Sequence, residues 1–338
     1  MLFRSQLAAE KGAGLFQPLS REGALVLNNL LLCTLAATVL LGTLYPLFLD
    51  LVSGDKVSVG PPFFNATFVP IALALFAALC VGPFLSWKRA ELWPALVRLR
   101  AAFAVSLAAL VVAAVWIDGR ATLAAMAFGF GVWLIAGSLL EFAGRLRRTG
   151  GRLPPRAALG MTIAHASLGV IVLGAVATAA WHSETIVTMK PGDTVPFAGY
   201  TARLETVEAV RGPNYDAERA TIVLLSGKSV VATLTPERRL FRVQQRQIAE
   251  TSIKTNFLRD LYATLGEGDA QQGWTVRLYD NPLASWIWLG AALCALGGFV
   301  SLSDRRLRVG APTRRLTPTE PSPHPASPPR GEVRRGAG

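Results

Sequence analysis

Apolar residues along this chain fall in long blocks rather than at helical or strand spacing within a polar background. Six blocks stand out: Ala24–Leu44, Phe68–Leu85, Ala101–Ile117, Ala121–Phe142, Ala157–Ala180 and Ala284–Leu302. Each is nearly free of charge and close to the ~20 residues an α-helix needs to cross about 30 Å of hydrocarbon. The third and fourth are separated only by Asp118, Gly119 and Arg120, a tight turn that predicts an antiparallel helical hairpin. The first block follows a polar leader and is longer than a signal-peptide core, so a retained span is expected.

The pattern changes between the fifth and sixth blocks. Glu184–Val210 and Arg219–Pro236 alternate β-branched with polar residues, and the stretches KPGD and SGK supply turns. A barrel or sandwich of roughly 60 residues, OB-like in one form, fits this alternation. Glu250–Gly266 reads as mixed or short helical structure, and Gly273–Pro282 as one more strand. Trp286 and Trp288 stand where the chain re-enters the membrane and suit an interfacial anchor. After Leu307 the chain is rich in Pro, Arg, Thr and Ser, a composition that predicts disorder. The expected fold class is therefore a polytopic α-helical membrane protein with six spans and a small extracytoplasmic β-rich domain inserted before the last helix. Its parts are a leader (1–23), a five-helix region (24–180), the β-rich domain (181–283), the last span (284–302) and a basic tail (303–338).

Composition agrees: 51% of the 338 residues are hydrophobic and 17% charged. A net charge of +12 raises nucleic-acid binding as a possibility. The placement of the basic residues argues instead for membrane topology. Arg4, Lys11 and Arg21 precede the first span, and Lys88, Arg89, Arg98 and Arg100 follow the second. Arg145, Arg147, Arg148, Arg152 and Arg156 lie between the fourth and fifth, and Arg305, Arg306 and Arg308 follow the sixth. The alternate loops carry Lys56 alone and Arg120 alone. Both termini are thus expected in the cytoplasm, and the β-rich region outside, in the periplasm of a Gram-negative bacterium.

Chemistry-bearing residues are few. Cys33, Cys80 and Cys294 lie within apolar blocks without metal-binding spacing and are expected to be small buried thiols. No glycine-rich nucleotide loop, Ser/His/Asp arrangement or zinc signature occurs, so no residue is assigned a catalytic role. His165 is the exception that needs an account, because an ionisable side chain inside a span is costly. Three readings are open: a hydrogen bond to a neighbouring helix, ligation of haem or another metal, or a proton relay. Its flanks, Gly160, Ala164, Ala166, Ser167 and Gly169, are small and would suit close helix packing or the approach of a flat macrocycle. His182 lies 17 residues further along the same helix, about 26 Å away, so the two cannot share an iron. A methionine of this chain, such as Met126, would be another ligand type within a span, and nothing in the sequence supports it. Glu141 reads as an interfacial residue, Asp118 and Arg120 as a solvated pair, and His324 in the tail as inert.

Several stretches resemble the cytochrome c-type biogenesis family CcmF, the membrane haem lyase component. They are SREGALVLNNLLL (20–32), GTLYPL (42–47), SVGPPFFNATFVP (58–70), GMTIAHASLGVIVLG (160–174), LTPERRLF (234–241), RDLYATLG (259–266) and the run from Trp274 to Arg306. The resemblance implies a part in attaching haem to c-type apocytochromes, with His165 as one axial ligand of an intramembrane haem b and quinol as the reductant. It implies as partners a periplasmic haem chaperone, an apocytochrome c-presenting component and apocytochrome c itself, besides the lipid bilayer of the inner membrane. Nucleic acid is not among them. The family's tryptophan-rich haem-handling motif, two periplasmic histidines and second membrane ligand belong to an N-terminal half that this sequence does not match. Lyase activity is therefore expected only when that half completes it, as a split-gene product or as the rest of a longer chain. Two readings from other classes compete: a scaffold whose β domain docks partners, and a solute transporter, which the lack of paired intramembrane charges disfavours.

Overall fold

A computed structural model describes residues 18–86, 91–116 and 122–304. The turn residues Asp118 and Arg120, the cations Arg4, Lys11, Lys88 and Arg89, and the tail with His324 lie outside them. The described residues form six long apolar helices: α1 (Arg21–Ser53), α2 (Pro61–Val81), α3 (Leu92–Trp116), α4 (Thr122–Arg148), α5 (Arg156–Trp181) and α6 (Ala284–Leu302). All six have the length and composition of membrane spans. The helices outrun the apolar blocks wherever polar residues keep helical spacing. Arg145, Arg147 and Arg148 close α4, and Ser20 caps α1 by accepting the Gly23 N–H at 3.0 Å. Only α6 has the bounds of its apolar block, because Pro282 ends the preceding strand immediately before it.

The helices associate through small residues, as expected where lipid removes the hydrophobic drive between apolar faces. The most extensive contact is α5 on α6. A Cβ at Gly160 would stand 2.4 Å from the Gly297 carbonyl oxygen, and one at Gly297 would stand 2.7 Å from the Ala164 nitrogen. Both ends of this pair are also tied. The Ala157 N–H donates to the Asp304 carboxylate at 3.1 Å, which caps α5 from beyond the end of α6, and the Thr178 hydroxyl donates to the Pro282 carbonyl at 3.0 Å.

Between α5 and α6 the chain builds a β-sandwich of ten strands, β1 (Ser183–Met189), β2 (Thr194–Phe197), β3 (Tyr200–Arg211), β4 (Tyr215–Ser226), β5 (Ser229–Leu234), β6 (Glu237–Phe241), β7 (Arg246–Glu250), β8 (Ser252–Thr255), β9 (Arg259–Asp269) and β10 (Gly273–Pro282). One antiparallel sheet has the order β1-β10-β9-β8. The other runs β2-β3-β4-β6-β7, with β5 pairing a different stretch of β4. Inward residues of both sheets, among them Leu204, Ile222 and Leu224 from one and Leu265, Val276 and Leu278 from the other, form a single core. Of the forms the sequence left open, this is the sandwich, and it takes in about a hundred residues rather than 60 because β6 to β10 all contribute. The segment Glu250–Gly266 is not helical. Leu261, Ala263 and Leu265 bury at a period of two on β9, while Tyr262 points outward and stacks on Tyr279 at 4.5 Å.

Glu237, on β6, is 5% exposed and lies between two arginines: Arg219 Nε donates to one oxygen at 2.6 Å and Arg239 Nε to the other at 2.7 Å. Burial pushes its carboxyl up, but the hydrogen bonds from Arg239 and Arg219 and their charges outweigh this and hold it below the usual carboxylate range. A carboxyl held low in the folded state adds stability above its unfolded pKa and loses it as pH falls through the folded value. Glu237→Gln is therefore expected to lower the stability of the whole chain in detergent by about 1–2 kcal/mol at neutral pH. The deficit should shrink as the buffer is taken below about pH 4. Thermal midpoints of both proteins at pH 7 and pH 3 measure it, and a deficit that grows at low pH would reverse the sign assigned here.

Candidate functional site in the helical bundle

His165 sits in the middle of α5, nine residues from its first residue or about 13 Å along the axis. The helical period gives α5 three working faces. Gly160, Ala164 and Gly174 face α6, and Gly169 meets α4, where an added Cβ would stand 2.6 Å from the Gly131 carbonyl. Met161 and His165 turn toward α1 and α2. There they line a cavity of about 140 Å³ with Arg21, Ala24, Leu25 and Asn28 of α1 and with Ala78, Leu79, Gly82 and Pro83 at the end of α2. An apolar groove of about 490 Å³ continues beside it and shares Ala24, Ala78 and Gly82. The small residues around His165 are thus used mainly for helix packing, and the histidine itself projects from between the packed faces into a space whose walls are mainly apolar, with Arg21 and Asn28 on the α1 side.

A second, much smaller cavity on the α4 side of His165 is lined by Cys80, Ser138, Glu141 and Thr162 as well. Glu141, read from the sequence as interfacial, is turned into the bundle. It is 4% exposed and paired with Arg145 one turn on, while its Oε2 has no hydrogen-bond partner among the described atoms. Leaving a buried carboxylate oxygen unmatched is costly, and such atoms concentrate at working sites. Nothing in composition singled out Glu141. The one signal was its spacing with Gly137, Ser138 and Arg145, which puts a carboxylate on the small-residue face of α4 with a cation one turn away.

The other candidates disperse. His182 ends α5 in an exposed position, its Nδ1 3.2 Å from the Ala179 carbonyl, at the opposite end of the helix from the cavity. Met126 lies 15 residues, about 22 Å, along α4 from Glu141, which excludes it as a ligand at the His165 cavity. The expected burial of the thiols holds for one of three: Cys80 is buried with its Sγ 3.3 Å from the Trp133 carbonyl, Cys294 is half-buried, and Cys33 is exposed because α1 has few neighbours. Among the described residues no group of three or more His, Cys, Asp or Glu could hold a metal ion. What the described residues bring together is one imidazole in a cavity lined mainly by apolar side chains, with a buried carboxylate on its other side.

Comparison with known proteins gives a consistent set of likenesses. Residues 180–282 match the family described as the CcmF C-terminal beta-sandwich. The cytochrome c-type biogenesis protein CycK of Bradyrhizobium diazoefficiens is 41% identical, over 94% of this chain and 50% of its own length. The cytochrome c-type biogenesis protein CcmF of Pseudomonas aeruginosa is 39% identical, over 87% of this chain and 46% of its own. A solved structure described as cytochrome c heme lyase CcmF superposes with a TM-score of 0.67 at 26% identity, covering 85% of this chain and 46% of that one. The chain spans about half the length of the curated relatives it matches.

Proposed function

Since this chain belongs to the CcmF family and corresponds to its C-terminal half, we propose that it is the part of a cytochrome c haem lyase that presents one axial ligand, His165, to an intramembrane haem b. One observation carries this reading: the histidine enters a mainly apolar cavity between α1, α2 and α5 instead of bonding across a packed helix interface. Haem b would supply one-electron chemistry there, keeping the haem to be attached in its reduced state, with a quinol as the electron donor. This chain's own contribution is to keep the ligating side of the cavity dry with Ala24, Leu25, Ala78 and Leu79, and to fix the orientation of the imidazole. Glu141 shares the smaller cavity with His165, so its free carboxylate oxygen is placed to take the ring's second N–H through a small rearrangement or a water.

A second ligand would come from the N-terminal half of the lyase, for which the sparsely covered α1 offers a docking face. The β-sandwich faces the periplasm from the inner membrane, both termini being cytoplasmic, and meets the haem chaperone, the apocytochrome-presenting component or apocytochrome c. Co-expression tests the central claim. The chain with the N-terminal half of a relative such as CcmF of Pseudomonas aeruginosa is expected to purify with a reduced b-type absorbance spectrum, and neither part alone to do so. A spectrum of equal intensity from the N-terminal half by itself would refute the assignment and leave this chain the scaffold role.

A further inference from the structure

We propose that the β8–β9 turn, Asn256–Leu258, is a membrane anchor of the β-sandwich, with the Phe257 and Leu258 side chains resting among lipids at the boundary between headgroups and acyl chains. The proposal depends only on α6 being a span and is independent of the haem reading. Phe257 and Leu258 are 61% and 63% exposed, two adjacent large apolar side chains at a hairpin tip. The tip of β4–β5 is Gly227–Lys228 and that of β9–β10 is Ala270–Gln271–Gln272, as water-facing turns should be.

The depth of the turn follows from α6. Nineteen residues span about 28 Å, so a helix of this length has to place Ala284 at the edge of a ~30 Å hydrocarbon layer. The turn is fastened to the start of that helix. Leu283 N–H donates to the Leu258 carbonyl at 2.8 Å, Trp286 Nε1 to the Phe257 carbonyl at 3.0 Å, and the Ser285 hydroxyl to the Asn256 carbonyl at 2.9 Å. The Phe257 ring lies 5.4 Å from that of Trp286. Trp286 and the 79% exposed Trp288 stand at the same level, an aromatic pair of the kind that marks an interface.

Backbone chemistry permits the immersion. Asn256 Oδ1 accepts from the Leu258 and Arg259 N–H groups at 2.9 and 2.8 Å, and the Asn256 N–H donates to the Arg259 carbonyl at 3.0 Å. With all three carbonyls of the tip also taken by residues at the start of α6, little polar backbone is left to demand water, which is the condition for irregular chain near lipid. The contact would fix the tilt of the sandwich against the bilayer at a second point besides its covalent links.

Electron paramagnetic resonance on the whole chain in lipid nanodiscs tests the proposal. A nitroxide is attached at Leu258→Cys, and for comparison at Val243→Cys on the β6–β7 hairpin, 92% exposed, with Cys33→Ser and Cys294→Ala removing the accessible native thiols. Cys80 is buried and stays, and the parent without an added cysteine is the blank. The ratio of oxygen to nickel-chelate accessibility is expected to be several-fold higher at 258 than at 243. Equal ratios would overturn the proposal, because the turn would then be in water. Low accessibility to both reagents at 258 would overturn it too, since protein and not lipid would cover the turn.

Discussion

On the function proposed above, changing His165 to alanine should abolish b-type haem in the two-part complex while leaving the complex assembled. The expected loss is large because the ligand is removed outright: even partners one step removed from a ligating histidine cost 10–100-fold in affinity, so retention should fall by at least about 100-fold. Assembly should survive because the imidazole lines a cavity and is not wedged into the α5–α6 or α4–α5 contacts. Haem content by pyridine haemochrome and assembly by size-exclusion chromatography are read on the same sample. A normal reduced spectrum from a correctly assembled variant would remove His165 from the ligand set. Loss of assembly as well as haem would mean that the residue is structural, the hydrogen-bonded alternative left open by the sequence.

Gly160→Ala should disrupt the bundle, although in an ordinary exposed helix the same change would help by about 1 kcal/mol. Here the new Cβ would stand 2.4 Å from the Gly297 carbonyl oxygen and 2.5 Å from the Ser301 nitrogen, both backbone atoms that cannot rotate away. The helices have to part at their closest point, and overpacking of this kind costs typically about 1–3 kcal/mol or more. Gly298→Ala is the control, since nothing lies within 4 Å of the position its methyl group would take. Resistance to heat in detergent should fall for the first variant and hold or rise slightly for the second. Equal behaviour would show that α5 and α6 are not in the contact described.

How much of this was legible in the sequence differs by element. The six spans were readable because a membrane demands one thing of a helix, about twenty apolar residues, and leaves the mark in consecutive positions. Their true ends were less so, since residues such as Arg147 and Arg148 remain helical after the hydrocarbon stops and hydropathy records only the solvent. Strand β9 was hidden because Leu, Ala, Arg and Asp are unremarkable in a helix, and the period-two burial of Leu261, Ala263 and Leu265 was outvoted by composition. His165 announced itself by its cost. Glu141 did not: local spacing put it on the small-residue face of α4, but its burial depends on where α2 and α5 place Cys80 and Thr162 around it.

The α5–α6 contact also dictates an order of events in the life of the chain. Its two halves are separated by the hundred residues of the β-sandwich, so the seam of Gly160, Ala164 and Gly297 can close only after that whole domain has been synthesised. Until then α5 has α4 beside it but no α6 behind it, and its N-terminus lacks the Asp304 cap. The helix bearing His165 therefore gains its full set of neighbours only once the last helix has been made, so its packing is completed at the end of synthesis.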